Sequence, residues 1–339
     1  IMKDKKTYII AEAGVNHNGS LKKAFKLVDI AKDSGADAIK FQLYRIEEKI
    51  SKIAFIHKYQ KKNVGNKSMK NMAQKYELAW EKHIVIKAYC EKKKIKYMSS
   101  ITDIKSCDFL LKKLNTKIFK ISSGEITNLN FLKYCAQKNV PIILSTGMSN
   151  EKEISNAVKL IKKISNSKLY LLHCISLYPT PIEILNIKYM NTLKKKYKCE
   201  VGFSDHSEGY LASCIAVATG ARIIEKHFTI NKKLPGPDHA MSLSPKELKE
   251  FVKKIRETEL ILGEGKKKIS FDEKEMIKVA RRGIIAIKDI NKNEIFTNSN
   301  TSIMRPCLGL GADQINNVLG KFSSKYIKKD TPIIVSMIK

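Results

Sequence analysis

The chain has 339 residues, 43% of them hydrophobic, and 64 Lys+Arg against 33 Asp+Glu give it a formal charge of +31. That length and apolar content suffice for one large α/β domain and a smaller companion. No apolar run reaches the roughly 18–20 residues of a membrane span, and the first residues do not read as a signal peptide.

The positive charge does not point to nucleic acid. Lysines are scattered along every expected helix, as in Lys92–Lys94 and Lys266–Lys268, and no arginine-rich arm or aromatic-interleaved basic stripe appears. The pattern reads as a solvated basic surface whose field also attracts anionic metabolites. Seven cysteines without a C-x-x-C pair, several within apolar runs, read as reduced thiols of a cytoplasmic protein.

Short apolar runs alternate with amphipathic helical stretches up to about residue 262. Strands are expected over 8–13, 38–42, 96–100, 118–122, 142–145, 169–173, 200–204 and 222–227. Each is nearly continuously apolar, as buried parallel strands are. Eight strands with intervening helices predict a (β/α)8 TIM barrel, whose chemistry sits on loops at the C-terminal strand ends. The stretch 47–76 is too long for an ordinary βα turn, and a loop of that size is usually functional. After a helix over 271–280 the texture becomes short β-type pieces, 283–289, 294–296, 302–304 and 332–337, separated by Asn, Gly and Pro. The expected division is a barrel over 1–265, a linker over 266–282 and a small β-rich domain over 283–339.

Polar residues at the expected strand ends carry the chemistry. Glu12 lies in an apolar run, where an unpaired carboxylate is costly. It is either a site carboxylate or the partner of a barrel lysine. Asn16 to Ser20 reads as a site loop or simply a turn and helix cap. Lys40 and Lys120 each sit inside a strand buried on both faces, so they need Glu12 and Glu125 or a bound polyanion. With Ser122, Ser123, Ser145 and Ser204 nearby, the pair suits a small carboxylate-phosphate ligand; a Schiff-base lysine is the rival reading. His173 reads as a core histidine with a local hydrogen bond, and Tyr178 as a residue facing a ligand.

His206 and His227 end two strands joined by a helical segment over 210–219. If these strands are parallel neighbours, the two imidazoles stand side by side. With Asp205, Glu225 and Asp238 close by, they make a divalent-metal site; singly, each is as readily structural.

Taken together, the motifs AEAGVNHNGS, ADAIKFQ, FKISSGEITNL, ILSTGM, LLHC-x-x-x-YPTP, VGFSDH, IIEKHF, GPDH and Met304-Arg305-Pro306 resemble the sialic acid synthase (N-acetylneuraminate synthase) family, with its legionaminate and pseudaminate synthases. They occur in order over essentially the whole chain. The resemblance implies a TIM barrel followed by an antifreeze-like (SAF) domain, in a domain-swapped homodimer. It implies condensation of phosphoenolpyruvate with an open-chain N-acyl hexosamine, N-acetylmannosamine in the main reading and a diacetamido hexose in the alternative, releasing phosphate. A basic anion- or carbohydrate-binding protein without catalysis is the non-enzyme alternative.

The resemblance further implies that His206 and His227 bind Mn2+. Lys40, Ser100, Lys120, Ser123, Ser145 and Ser204 would hold phosphoenolpyruvate, with Glu12 and Glu125, beside Lys40 and Lys120, in catalysis. Asn66, Tyr178, Asp238 and Arg305 would hold the sugar, Arg305 coming from the partner subunit. Three departures bear on the sugar. Ser100 stands in Met98-Ser99-Ser100-Ile101-Thr102, where the common pattern is Ser-Thr-Pro-Phe. Ser176 replaces an asparagine, and Arg281 lies in a run that elsewhere contains phenylalanine.

Overall fold

The computed structural model describes residues 6–51, 53–54 and 69–339. The chain forms two compact units, Ile1–Gly263 and Glu264–Lys339.

The first unit is built on a closed parallel barrel of β1 (Tyr8–Gly14), β2 (Ala38–Gln42), β3 (Lys96–Ile101), β4 (Phe119–Ile121), β5 (Ile142–Ser145), β6 (Leu169–Cys174), β7 (Glu200–Asp205) and β8 (Ile223–His227). Closure comes from β1, which pairs with β2 on one side and β8 on the other. All eight expected strands form, and every end that moves does so by one residue. Only β4 is shorter at both ends, because Ser122 already opens the turn Ser123–Glu125.

Alternation along each strand sorts the side chains. Outward positions such as Ile9, Ile39, Phe41, Phe119 and Phe203 join the large core under the surrounding helices. Inward positions form a plug of Ile10, Ala38, Met98, Ile118, Ile143, Tyr170, Leu172 and Ile223. Two residues further along most strands the same inward face carries Glu12, Lys40, Ser100, Lys120, Ser145, Cys174 and Glu225. The apolar layer thus closes the barrel floor and the polar layer faces its mouth. In β7 the inward position at floor level is Gly202. A Cβ there would lie 2.4 Å from the Ile223 carbonyl oxygen and 2.6 Å from Leu172 Cδ2, so only glycine fits.

The helices begin where short polar residues cap them. Asp103, Asn150 and Ser244 each accept from the backbone N–H three residues on, in reciprocal capping boxes. The stretch 47–76 differs from the expected long loop. Its described part includes the end of a short helix, Ile46–Lys49, and a helix Met69–Tyr76. Val15, Tyr44, Ile46 and Tyr76 make a small apolar cluster that gives these turns something to bury. No helix among the described residues is long and apolar enough to cross a membrane. All seven cysteines are free.

The second unit starts with the expected helix Phe271–Ala280. Its sheet contains only β9 (Gly283–Ala286) and β10 (Thr301–Met304), antiparallel to each other. The expected strands over 294–296 and 332–337 reduce to single bridges, Ile295 with Phe322 and Ile285 with Pro332, and Val335–Met337 is a 3-10 turn. Proline cannot donate to a ladder, which limits the second segment to one bridge. Burial of Ile284, Ala286, Ile290, Phe296, Val318, Ile327 and Ile333 supplies the core.

Three histidines of the barrel unit set an acid limit. Burial pushes His17 and His239 down to about 4 and His83 down to about 3. Below about pH 6.5 the unfolded chain therefore takes up protons that the folded chain refuses, so stability falls as pH falls. The expected loss is about 1.4 kcal/mol per pH unit for each such histidine until its folded pKa is reached. Urea unfolding at pH 7 and pH 5 measures it; equal midpoints would contradict the assignment.

Candidate active site

The polar layer opens into a cavity of about 430 Å3 at the C-terminal ends of the strands. Glu12, Lys40, Lys120 and Glu225 meet in its floor, each 6% exposed or less. Lys40 Nζ lies 2.8 Å from Glu12 Oε2 and 3.5 Å from Glu225 Oε2, and Lys120 Nζ lies 3.7 Å from Glu225 Oε1. Lys120 donates to Ser145 Oγ at 2.8 Å, and Ser204 Oγ donates to Glu225 at 2.9 Å. The anionic partners of the lysines are thus Glu12 and Glu225, where Glu12 and Glu125 were expected. Glu125 lies past the end of β4 in its 3-10 turn, whereas Glu225 takes an inward position of β8.

Four buried charges in alternation shift one another. Burial raises the Glu12 pKa, and the neighbouring Glu225 adds to that rise. Burial works in the same direction on Glu225, but Lys120 and Lys40 outweigh it and hold its pKa below the usual range. For Lys40 the loss of hydration is outweighed by Glu12 and Glu225, so its pKa is raised. For Lys120 burial wins and lowers it. Two carboxylates with opposed shifts are suited to different tasks, one moving a proton and one staying charged.

The lining is rich in hydroxyls: Ser100, Ser122, Ser123, Ser145, Ser176 and Ser204. Ser123 Oγ accepts from the Gly147 N–H at 2.9 Å and sits 3.2 Å from Cys174 Sγ. A Cβ on Gly147 would approach Ser176 Oγ to 2.5 Å and Cys174 Sγ to 2.7 Å. Only glycine lets the turn after β5 pack this closely on those side chains. Two ammonium groups facing clustered hydroxyls make a cradle for a small polyanion.

His206, just after β7, and His227, at the end of β8, also line the cavity, their ring centroids 5.7 Å apart. Tyr178 packs on His206 at 4.2 Å and edge-on to His227 at 6.0 Å. A carbonyl can only accept, so His206 Nδ1, 2.7 Å from the Ile175 oxygen, must carry the proton. Its Nε2 therefore carries the lone pair, 3.5 Å from Ser204 Oγ, whose own proton goes to Glu225. His227 Nδ1 is buried with no hydrogen-bond partner. Burial lowers the pKa of both, and His206 adds to the shift of His227, so both rings are neutral. Neutral imidazoles with unused nitrogens fit a divalent metal ion as two protein ligands. Among the described residues no group of three His, Cys, Asp or Glu side chains could hold one, so water or substrate would complete the shell. Asp205, expected near the metal, points to the outer face of β7, as alternation after inward Ser204 requires.

The remaining expected residues are spread more widely. Asp238 is half-buried, with its pKa pushed up by burial to about 6, and does not line the cavity. Glu125 is half-buried and accepts from Asn128 at 3.5 Å. His173 is the expected core histidine, donating from Nε2 to the Leu185 carbonyl at 2.7 Å. Arg305 follows β10 in the second unit, and Asn66 lies outside the described residues. Glu225 was expected as a carboxylate beside the histidines but not as the partner of the lysines, and Gln42, a lining residue 3.4 Å from Glu12, was not selected from sequence. Strand parity was the available signal for both, since each lies two residues from an inward site residue.

Residues 27–267 match the NeuB family model, and residues 281–339 match the SAF domain. The chain belongs to the NeuB family. As a member it is an enzyme, a nonulosonic acid synthase with a TIM barrel and a C-terminal SAF domain. It is 46% identical over 329 residues to the N,N'-diacetyllegionaminic acid synthase of Campylobacter jejuni, covering 96% of this chain and 98% of that protein. It is 40% identical to the enzyme of the same name from Legionella pneumophila, covering 96% and 93%. Among solved structures, the N-acetylneuraminic acid synthetase of Leptospira borgpetersenii in complex with citrate superimposes with a TM-score of 0.71. It is 37% identical, with 80% of this NeuB-family chain and 90% of that one covered.

Proposed function

We propose that this NeuB-family chain condenses phosphoenolpyruvate with the open-chain form of a diacetamido hexose, as a legionaminate- or pseudaminate-type synthase. The observation that carries the reaction is that Lys40 and Lys120 line one cavity together with His206 and His227. The choice of sugar departs from N-acetylmannosamine, the main expectation from sequence. It rests on the 46% identity to a legionaminic acid synthase against 37% to a sialic acid synthetase.

In this reading Lys40, Lys120 and the hydroxyls of Ser100, Ser123, Ser145 and Ser204 hold the phosphate and carboxylate of phosphoenolpyruvate. His206 Nε2 and His227 would hold a divalent ion, Mn2+ in this proposal, which supplies Lewis-acid polarisation of the sugar aldehyde when bound. Tyr178 positions the sugar beside the imidazoles. The C3 carbon of phosphoenolpyruvate bonds to the aldehyde carbon, whose oxygen gains a proton. Water adds to C2 and loses its proton, and the C2–O bond to phosphate breaks. The raised pKa of Glu12 suits it to move the proton, while Glu225 stays ionised between the lysines. Glu125 belongs to the same reading as a catalytic residue, and Asp238, Asn66 and a partner's copy of Arg305 in a domain-swapped dimer belong to its sugar side.

Phosphate release from phosphoenolpyruvate, measured with N-acetylmannosamine and with diacetamido hexoses, with and without Mn2+, tests this directly. The diacetamido sugar is expected to give the higher kcat/KM by at least about tenfold, the scale of one well-recognised substituent. A preference for N-acetylmannosamine would return the assignment to N-acetylneuraminate synthase.

A further inference from the structure

Behind the two histidines, on the outer face of the barrel, lies a second pair of charges that the proposed chemistry does not use. Asp205 and Lys226 stand directly opposite each other in the β7–β8 register. Asp205 Oδ2 is 3.0 Å from Lys226 Nζ, and the two side chains are 0% and 2% exposed. Every remaining position on the carboxylate is filled. Oδ1 accepts from the Ser207 N–H at 2.8 Å and its hydroxyl at 2.6 Å, and Oδ2 accepts from Ser213 Oγ at 2.6 Å. Lys226 also donates to the Ser207 carbonyl.

A buried ion pair seldom adds net stability over apolar residues of the same volume, so its use is sought in geometry. Each partner immediately precedes one of the two histidines: Asp205 before His206, Lys226 before His227. The pair locks the register of β7 against β8 at the last paired rung. Asp205 and Lys226 together also grip both polar backbone atoms of Ser207, so His206 is fixed from the residue before it and the residue after it. The same turn is held from the other side, where the Thr180 N–H donates to the His206 carbonyl at 2.9 Å. On the inner face Ser204 and Glu225 repeat the stitch one rung lower.

We infer that Asp205 and Lys226 are positioning residues that set the separation of the His206 and His227 rings and the Nδ1–H tautomer of His206. The part of this inference that concerns metal affinity rests on the proposed metal site. The tautomer does not.

Two measurements on the full-length protein keep these apart. In metal-free protein, 15N-imidazole NMR is expected to show His206 as the Nδ1–H form. Asp205→Asn and Lys226→Met should each convert it to a tautomer mixture, because the turn that aims Nδ1 at the Ile175 carbonyl relaxes. Mn2+ titration followed by electron paramagnetic resonance, without substrates, should show about 10- to 100-fold weaker binding in each variant. The double variant should bind no more weakly than the poorer single variant, since both act through one interaction. Ser213→Ala, which removes one hydroxyl donor, is the mild member of the series should either single variant fold poorly, and a smaller shift in the same direction is expected. An unchanged His206 tautomer in the folded variants overturns the inference. Wild-type protein that binds no Mn2+ overturns the metal reading and leaves the tautomer to decide on the positioning role.

Discussion

His227→Ala is expected to abolish Mn2+-dependent phosphate release while leaving the protein folded. Losing one of two imidazole ligands should weaken metal affinity by more than the roughly 10- to 100-fold typical of losing a supporting residue. Activity in phosphoenolpyruvate plus sugar should fall to background. Stability should fall only slightly. His227 Nδ1 is buried without a partner, and removing an unsatisfied buried polar atom relieves a desolvation cost of about 1–3 kcal/mol. This partly offsets the packing lost against Tyr178. Phosphate release across a Mn2+ titration, with a thermal melt on the same samples, gives both readings. Full activity would eliminate His227 as a ligand, and a collapsed melt would assign it a structural task instead.

Lys120→Met should act on both the substrate and the fold. The methionine keeps the apolar stem but removes the donor to Ser145 and one of two ammonium groups that neutralise Glu225. Removing one partner of a buried, hydrogen-bonded charge set costs about 3–5 kcal/mol. The KM for phosphoenolpyruvate should rise about 100-fold or more, because a charge-assisted contact to the substrate is lost. The pH dependence has a definite sign. In the wild type the folded pKa of Glu225 lies below its unfolded value, so it stabilises the fold above the ordinary carboxylate pKa and loses that contribution as pH falls. Without Lys120 the depression shrinks, and the destabilisation is largest near neutral pH and smaller in acid. Combining the change with Glu225→Gln should restore much of the stability but not the KM. Urea unfolding of the single and double variants at pH 7 and pH 5 measures these differences. Equal stability of Lys120→Met and wild type at pH 7 would show that Lys40 alone neutralises Glu225.

Much of the barrel was legible because buried parallel strands are written as short apolar runs. A charged residue inside such a run, like Lys40 or Lys120, is conspicuous. The second unit was less legible. Its pieces over 294–296 and 332–337 have strand-like composition but form single bridges, since in so small a core turns and proline decide how far a ladder extends. The stretch 47–76 misled in the opposite sense, because two short helices there draw their stability from Tyr44, Ile46 and Tyr76 and not from a long amphipathic repeat.

By itself the amino-acid sequence determined the strand count, the pair of lysines that must meet anions, the two histidines at adjoining strand ends, and membership of the family through motifs spread along the chain. Each of these depends on local pattern or on residue type. Tertiary structure alone decided that Glu225, and not Glu125, faces the lysines. It also decided that Asp205 turns outward to Lys226 and that His206 presents Nε2 to the cavity. These outcomes depend on which way a strand's two-residue alternation is phased and on the register between strands brought together by closure of the barrel. Shifting either by one residue would carry each of these side chains to the opposite face.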